Sequence, residues 1–439
     1  MKRAFRGIVV SLLALTLVLS GRPATAAGGT RVIVRVGGGL LQIKTICLLL
    51  LCTVNYGLGD PNGQVFLITA PLNLSSLTFL NTIKLQLGVL DAEIDLQGAV
   101  QSGTTSVPPA LLDKTPVSYY GTTVTHGYIS QPAAQIIRLA DTQKAYGVDG
   151  NGIVAVIDTG VDSTHPVLQP VLLTGYDFTR NRNGADEKGD VTQSTADVVD
   201  GSGPTYVNSS TIGVIDQSTA DVVDTTNYSA FGHGTMVAGI VHLVAPKAQI
   251  LPLKAFNANG TGYTSDAIRA IYWAVKSNAR VINMSFSFPT SSTEFSKALS
   301  YATGKSVIAV GAAGNDGQKV AVYPAGYSSN VMGVASTSNT DVRSTFSNYG
   351  TPQVWVAAPG EWIVTTYPWG TYAASSGTSF SAPFVAGAAA LLLDVNAGAN
   401  ESSAAQAIGN AKFISSDLGK GRLDLYQAVT AWRHTVGLP

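Results

Sequence analysis

From about residue 135 onward, short apolar runs alternate with helical patterns, and this alternation constrains the fold of the 439-residue chain more than any other feature. The apolar runs are 153–157, 250–254, 281–285, 306–310, 331–335 and 354–357; the helical patterns are 233–244, 265–277, 292–303 and 379–395. Unbroken apolar strands separated by helices predict a parallel sheet covered on both faces. The expected class is therefore α/β, a doubly wound sheet with reactive groups beyond the carboxyl ends of its strands. Composition excludes two other classes. With 45% hydrophobic and 12% charged residues the chain is not intrinsically disordered. Lys+Arg and Asp+Glu are both 27, so no bulk positive charge is present to bind nucleic acid.

The region before this alternation reads differently. Lys2, Arg3 and Arg6, the apolar run Gly7–Ser20 and Ala24-Thr25-Ala26 have the pattern of a secretory signal peptide over residues 1–27. A spanning helix needs about 20 apolar residues, so a cleaved leader and a secreted product (extracellular or periplasmic) are expected, with no membrane attachment afterwards. Residues 28–115 are expected to form a small α+β domain. Runs 31–36, 64–70 and 92–96 read as strands, and 75–87 fits helix or strand. The apolar stretch Ile46–Val54 reads as a buried strand or helix. Its Cys47 and Cys52, the only cysteines, read as small buried hydrophobes rather than a disulfide. Residues 101–109 (QSGTTSVPP) are a linker, 116–134 a linker and processing region, and 135–432 the main domain. Residues 1–115 carry nine basic and five acidic groups and the rest 18 and 22, a mild asymmetry that favours solubility.

Gln193–Asp200 (QSTADVVD) recurs as Gln217–Asp224 inside an insertion at 175–230. Two copies are too few for a solenoid, and a duplicated surface loop is the simplest reading. Asp197, Asp200, Asp216, Asp221 and Asp224 could gather an oxygen-ligated cation such as calcium.

Four segments carry chemistry. Ser379 follows Gly377-Thr378 at the start of an apolar helix pattern, where N–H groups and the dipole favour a developing oxyanion; a plain N-cap is the bland alternative. His233 lies between Gly232 and Gly234 at another helix start, as a candidate base or a structural histidine. Asp158 ends an apolar strand, where a carboxylate is costly unless paired, and an imidazole N–H would pair it. Asn315, in the Gly-rich loop 311–317, is a turn residue or an oxyanion donor.

In the order Asp158, His233, Asn315, Ser379, with Val281–Ser285 and Gly419–Leu425, the chain resembles the subtilisin-like serine peptidases over roughly residues 130–430. The resemblance implies that Asp158 orients His233, that His233 activates Ser379, and that Asn315 and the Ser379 N–H hold the oxyanion. It further implies a secreted endopeptidase, acting as a monomer on proteins or peptides, whose residues 28–115 are a propeptide bound in cis. An extended substrate would lie between the edges Gly260–Tyr263 and Ser285–Ser287, with Gly260, Gly262, Ser285, Phe286, Ser287, Ala312, Ala313 and Gly314 around it. Self-cleavage is expected within Thr115–Gln131.

The chain departs from the family in places. The helix 233–244 runs straight into Ala245-Pro246, and Val167 stands where a carboxylate ligand would follow His165-Pro166. Both halves of the family's tight calcium site are thus missing; no cofactor is required, and any structural calcium would bind in the insertion. Ser287 and Val322 replace smaller residues and would narrow the specificity pocket towards modest apolar side chains. Two other readings are an inactive binding scaffold and a sedolisin-type acid peptidase. The intact triad opposes the first and His233 the second.

Overall fold

The computed structural model describes residues 29–100, 108–191 and 228–439; between 192 and 227 it gives only four short strands, within 196–223. The leader at 1–27, linker residues 101–107 and the aspartate side chains of the repeat lie outside the described residues.

The main domain is built on an eight-stranded sheet in the order 182–183, 176–177, 249–254, 153–158, 281–284, 308–312, 332–337, 356–359. All neighbours are parallel except the edge strand 182–183. Ile153–Asp158 sits where the order reverses: strands 176–177, 182–183 and 249–254 are added on one side of it, then 281–284 and the later strands on the other. Alternate side chains of that strand serve opposite layers. Val154 and Val156 enter the core beside helices His233–Val244 and Thr378–Val395; Ala155 and Ile157 enter the core beside Thr264–Lys276 and Thr293–Gly304. Thr378–Val395 is long and apolar enough to cross a membrane, yet it lies buried through the centre of the domain.

The N-terminal unit is a four-stranded antiparallel sheet, order 53–57, 65–69, 31–36, 89–94. Helices Gly39–Leu50 and Ser76–Lys84 cover one face. The other face, with Ile33, Leu58, Val65 and Leu67, packs with Ala267, Ile271 and Tyr272 of the main domain. The ambiguous segment 75–87 is thus helical, started by Ser75, whose hydroxyl accepts from Thr78 N–H.

Two expectations are corrected here. Cys47 and Cys52 form a disulfide. Leu51 takes the left-handed conformation (φ 56°) at the helix end, and Cys52 N–H donates back to the Cys47 carbonyl. That capping turn is the tight loop that the spacing of five requires, and it brings the two Cα atoms to 4.5 Å. Nor is the apolar stretch 46–54 wholly buried. A helix lying on a sheet buries one stripe, here Ile43, Ile46 and Cys47, and leaves Leu48, Leu49 and Leu51 in solvent.

The stretch 116–134, expected as a linker, is ordered. A hairpin pairs 116–119 with 122–125. Tyr128 is completely buried and donates to the Gly239 carbonyl at 2.6 Å.

Candidate active site

Asp158 lies at the carboxyl end of the central strand and is fully buried. Its Oδ1 accepts from Thr159 N–H (2.7 Å) and bonds His233 Nδ1 (2.7 Å). The glycines flanking His233 make this approach possible. Gly232 is left-handed (φ 84°), and a Cβ there would fall 2.2 Å from the Tyr367 ring. A Cβ on Gly234 would fall 1.9 Å from the Gly160 carbonyl oxygen, so only glycine lets this helix start rest on the loop after Asp158. His233 Nε2 is buried with no hydrogen-bond partner among the described residues, and its ring lies 5.3 Å from that of Phe380, next to Ser379.

Ser379 sits in the first turn of Thr378–Val395. Its Oγ donates to the Ser285 carbonyl at 3.1 Å, not to His233. A second bond ties the same pair. Pro383, four residues on, lacks the N–H that would normally reach the Ser379 carbonyl. Ser285 Oγ donates to that carbonyl instead, at 2.8 Å. The proline thus frees an acceptor that fastens the candidate nucleophile to the strand edge. Asn315 Oδ1 accepts from Thr378 N–H and Oγ1–H, both at 2.9 Å, and Gly314 N–H donates to Thr378 Oγ1 at 3.1 Å.

The two expected substrate edges are both occupied by the chain itself. Gln97–Ala99 pairs antiparallel with Thr261–Tyr263, Gly98 opposite Gly262. On the other side Ala99 N–H donates to the Ser287 carbonyl and Ser287 N–H to that of Ala99, each at 3.1 Å. Val100 N–H donates to the Gly260 carbonyl at 3.0 Å. Ser287 and Val322 line one depression beside residues 97–99. Phe286 turns instead into an aromatic cluster with Phe256, Phe288 and Phe295, and Ala312 and Ala313 are buried. Those three meet the cleft through backbone at most.

Sequence reasoning missed the supports beneath the site. Glu187 is fully buried and joins the Asp158 and His233 loops. Lys254, also fully buried, donates to the carbonyls of Thr159 and Phe256 and to Asp190, each at 2.7 Å. Among the described residues no group of three or more His, Cys, Asp or Glu is placed to hold a metal.

A doubly wound sheet with an aspartate, a histidine and a serine drawn to its carboxyl rim, beside a cleft that grips extended peptide, defines a subtilisin-like serine peptidase. The subtilase family model matches residues 149–429, and the chain belongs to that family of serine-type endopeptidases. It is 35% identical over 296 residues to thermitase of Thermoactinomyces vulgaris, covering 64% of this chain and 90% of that protein. It is 36% identical over 291 residues to the thermophilic serine proteinase of Bacillus sp. (strain AK1), covering 63% of this chain and 61% of the relative. In structure it is similar to fervidolysin of Fervidobacterium pennivorans (TM-score 0.68, 22% identity), over 92% of this chain and 61% of that one.

Proposed function

We propose that the protein is a secreted endopeptidase made as a self-processing zymogen, with Ser379 as nucleophile, His233 as base, Asp158 as the orienting carboxylate and Asn315 as an oxyanion donor. The pairing of residues 97–100 with both edges of the cleft carries this reading. It is β-augmentation, in which backbone bonds hold a peptide of many sequences.

The chemistry follows from the side chains. His233 takes the Oγ proton of Ser379 as that oxygen attacks the scissile carbonyl, and Asp158 stabilises the imidazolium. The negative oxygen is met by Asn315 and the Ser379 N–H. The imidazolium then protonates the leaving amine, and a water activated by His233 releases the acyl group. The proposed mechanism requires Ser379 to turn about its Cα–Cβ bond, so that Oγ leaves the Ser285 carbonyl for Nε2. A substrate N–H arriving at that carbonyl would compete for it and release the hydroxyl. No cofactor is needed for these steps. Both edges, the triad and Asn315 come from one chain, so the proposed unit is a monomer, and no nucleic acid or membrane partner is involved.

The first substrate is the chain itself. Ala99 opposes Ser287, and Ser285, two residues back, accepts from Ser379. A peptide continuing past Val100 in the same direction meets Ser379 at the next residue, so the proposed cut follows Gln101. This is earlier than the 115–131 window suggested by sequence. The N-terminal unit then remains as a propeptide covering the cleft. The apolar leader supports secretion, and so does the Cys47–Cys52 disulfide, since such bonds persist in oxidising compartments. Mass spectrometry of wild type and Ser379→Ala tests the scheme. Wild type should yield a chain beginning at Ser102 while the variant keeps that bond intact. Equal cleavage in both would refute self-processing.

A further inference from the structure

The root of the insertion holds a carboxylate whose surroundings demand explanation. Glu187 opens the short helical turn Glu187–Asp190. Its neighbour Asp186 does the ordinary work of such a turn, capping it by accepting from Lys188 N–H at 2.9 Å. Glu187 points inward instead and is fully buried. One oxygen accepts from Thr159 Oγ1 (3.0 Å) and Gly232 N–H (2.9 Å). The other accepts from Thr235 N–H (3.2 Å) and Thr235 Oγ1. Each hydroxyl is already an acceptor, Thr159 from Gly234 N–H (3.0 Å) and Thr235 from Asp162 N–H (2.8 Å). Their protons are therefore available to Glu187, and four donors saturate a carboxylate.

The partners decide what this bundle does. Thr159 follows Asp158, Gly232 precedes His233, and Thr235 lies two residues after it. We propose that Glu187 is a positioning residue for catalysis, a clamp that fixes the loop after Asp158 to the turn bearing His233 so that the imidazole holds its bond to Asp158. The proposal rests on reading Asp158, His233 and Ser379 as the triad. Glu187 never reaches the substrate edges; it acts through the two loops. Lys254 grips the same loop from the other side through the Thr159 carbonyl.

The clamp is sensitive to pH. Burial pushes the Glu187 carboxyl up to about 8; the bonds from Thr235 and Thr159 and the charge of Lys254 pull against this, and Asp158 adds to it. Tyr367, His233 and His242 are titratable groups on adjoining elements, Asp162 on the neighbouring loop is paired with Lys188, and Asp190 is occupied by Lys254 and Arg180. Ionised, Glu187 accepts from all four donors. Protonated, one oxygen becomes a donor facing donors. The clamp is therefore complete above about pH 8 and weakened below it.

The test uses the full-length chain, expressed and left to process itself, as wild type, Glu187→Gln, Thr159→Val, the double variant and Ser379→Ala. Glu187→Gln places an NH2 where donors converge. At pH 9 its kcat should fall on the order of 10–100-fold, the scale of a slightly misplaced catalytic group, with KM unchanged. The deficit should shrink as pH falls below 8, where the wild-type clamp is protonated too. Thr159→Val should show the same kcat loss, and the double variant should be no worse than the poorer single. If Glu187→Gln does not fold, Thr159→Val carries the same measurements. A loss confined to KM, a deficit independent of pH, or unchanged kcat would overturn the proposal. Activity in Ser379→Ala would instead overturn the triad reading beneath it.

Discussion

Asn315 shows how a single side chain is aimed. Thr378 donates twice to Oδ1, which fixes the plane of the amide and sets Nδ2 on the opposite side. In the proposed mechanism that NH2 meets the oxyanion, so Asn315→Leu should lower kcat by about 10²–10³ with little change in KM, the magnitude known for the oxyanion asparagine of subtilisin. Steady-state kinetics on a peptide substrate checks this, and an equal rise in KM with constant kcat would remove Asn315 from the oxyanion site. Residues of this kind were legible in the sequence because their local setting is unusual: a histidine between two glycines, an aspartate ending an apolar strand. Glu187 was not. It stands in Asp186-Glu187-Lys188-Gly189-Asp190, which reads as a solvated loop, and only contacts 28 to 48 residues away bury it.

Among the elements, helix His233–Val244 is apolar and buried on every side, and this forces a second histidine inward. His242 packs against Tyr128 and Tyr119, with its Nδ1 3.2 Å from the Tyr128 hydroxyl. Burial lowers its pKa from 6.5 to about 4, and the nearby His165, itself lowered by burial, adds to the shift. The unfolded chain takes up this proton near 6.5 and the folded chain only near 4, so within that window the unfolded state binds more protons. Stability should fall as pH drops, by about 1.4 kcal/mol per pH unit from this group. In the Ser379→Ala background, used to suppress the proposed self-cleavage, His242→Gln should reduce the loss of Tm between pH 7 and pH 4.5. Identical losses with and without His242 would assign the acid sensitivity elsewhere. The helix itself was plain in the sequence, as were the six long parallel strands of the central sheet, because long apolar periods survive any context; the two-residue parallel strand Tyr176–Asp177 was too short to show one. The hairpin pairing Ile363–Tyr367 with Thr371–Ser375, which packs on this helix, was not. Its two short strands hold as many threonines and serines as aliphatics, and burial against the helix, not pattern, decides their state.

At the scale of the whole molecule, the N-terminal unit meets the main domain through charge as well as packing. Glu93 accepts from Thr293 N–H (2.8 Å) and Asp95 from Ser265 N–H (2.8 Å), so each carboxylate meets the exposed N–H groups at the start of a main-domain helix. Arg35 binds Glu294 through both Nε and Nη2, and both side chains are largely buried. None of this could be read from the sequence, where Glu93 and Arg35 are ordinary alternating polar residues of strands, and the partner helices lie some 200 residues away. The arrangement has a consequence for the proposed zymogen. After the first cut the N-terminal unit is held only by non-covalent contacts, and its departure sets the time at which the cleft opens. Arg35→Ala leaves Glu294 buried with Lys297 as its remaining ionic partner (2.9 Å). A broken buried pair at an interface costs 2–5 kcal/mol or more, and the remaining Lys297 places this one at the low end, about 2 kcal/mol or roughly 30-fold in the lifetime of the complex. The lag between first cleavage and full peptidase activity should therefore shorten in Arg35→Ala. The difference should persist in high salt, because the pair is shielded from solvent and ions screen it little. A lag equal to wild type would mean that the apolar face around Ile33 and Leu67, rather than the ion pair, governs release.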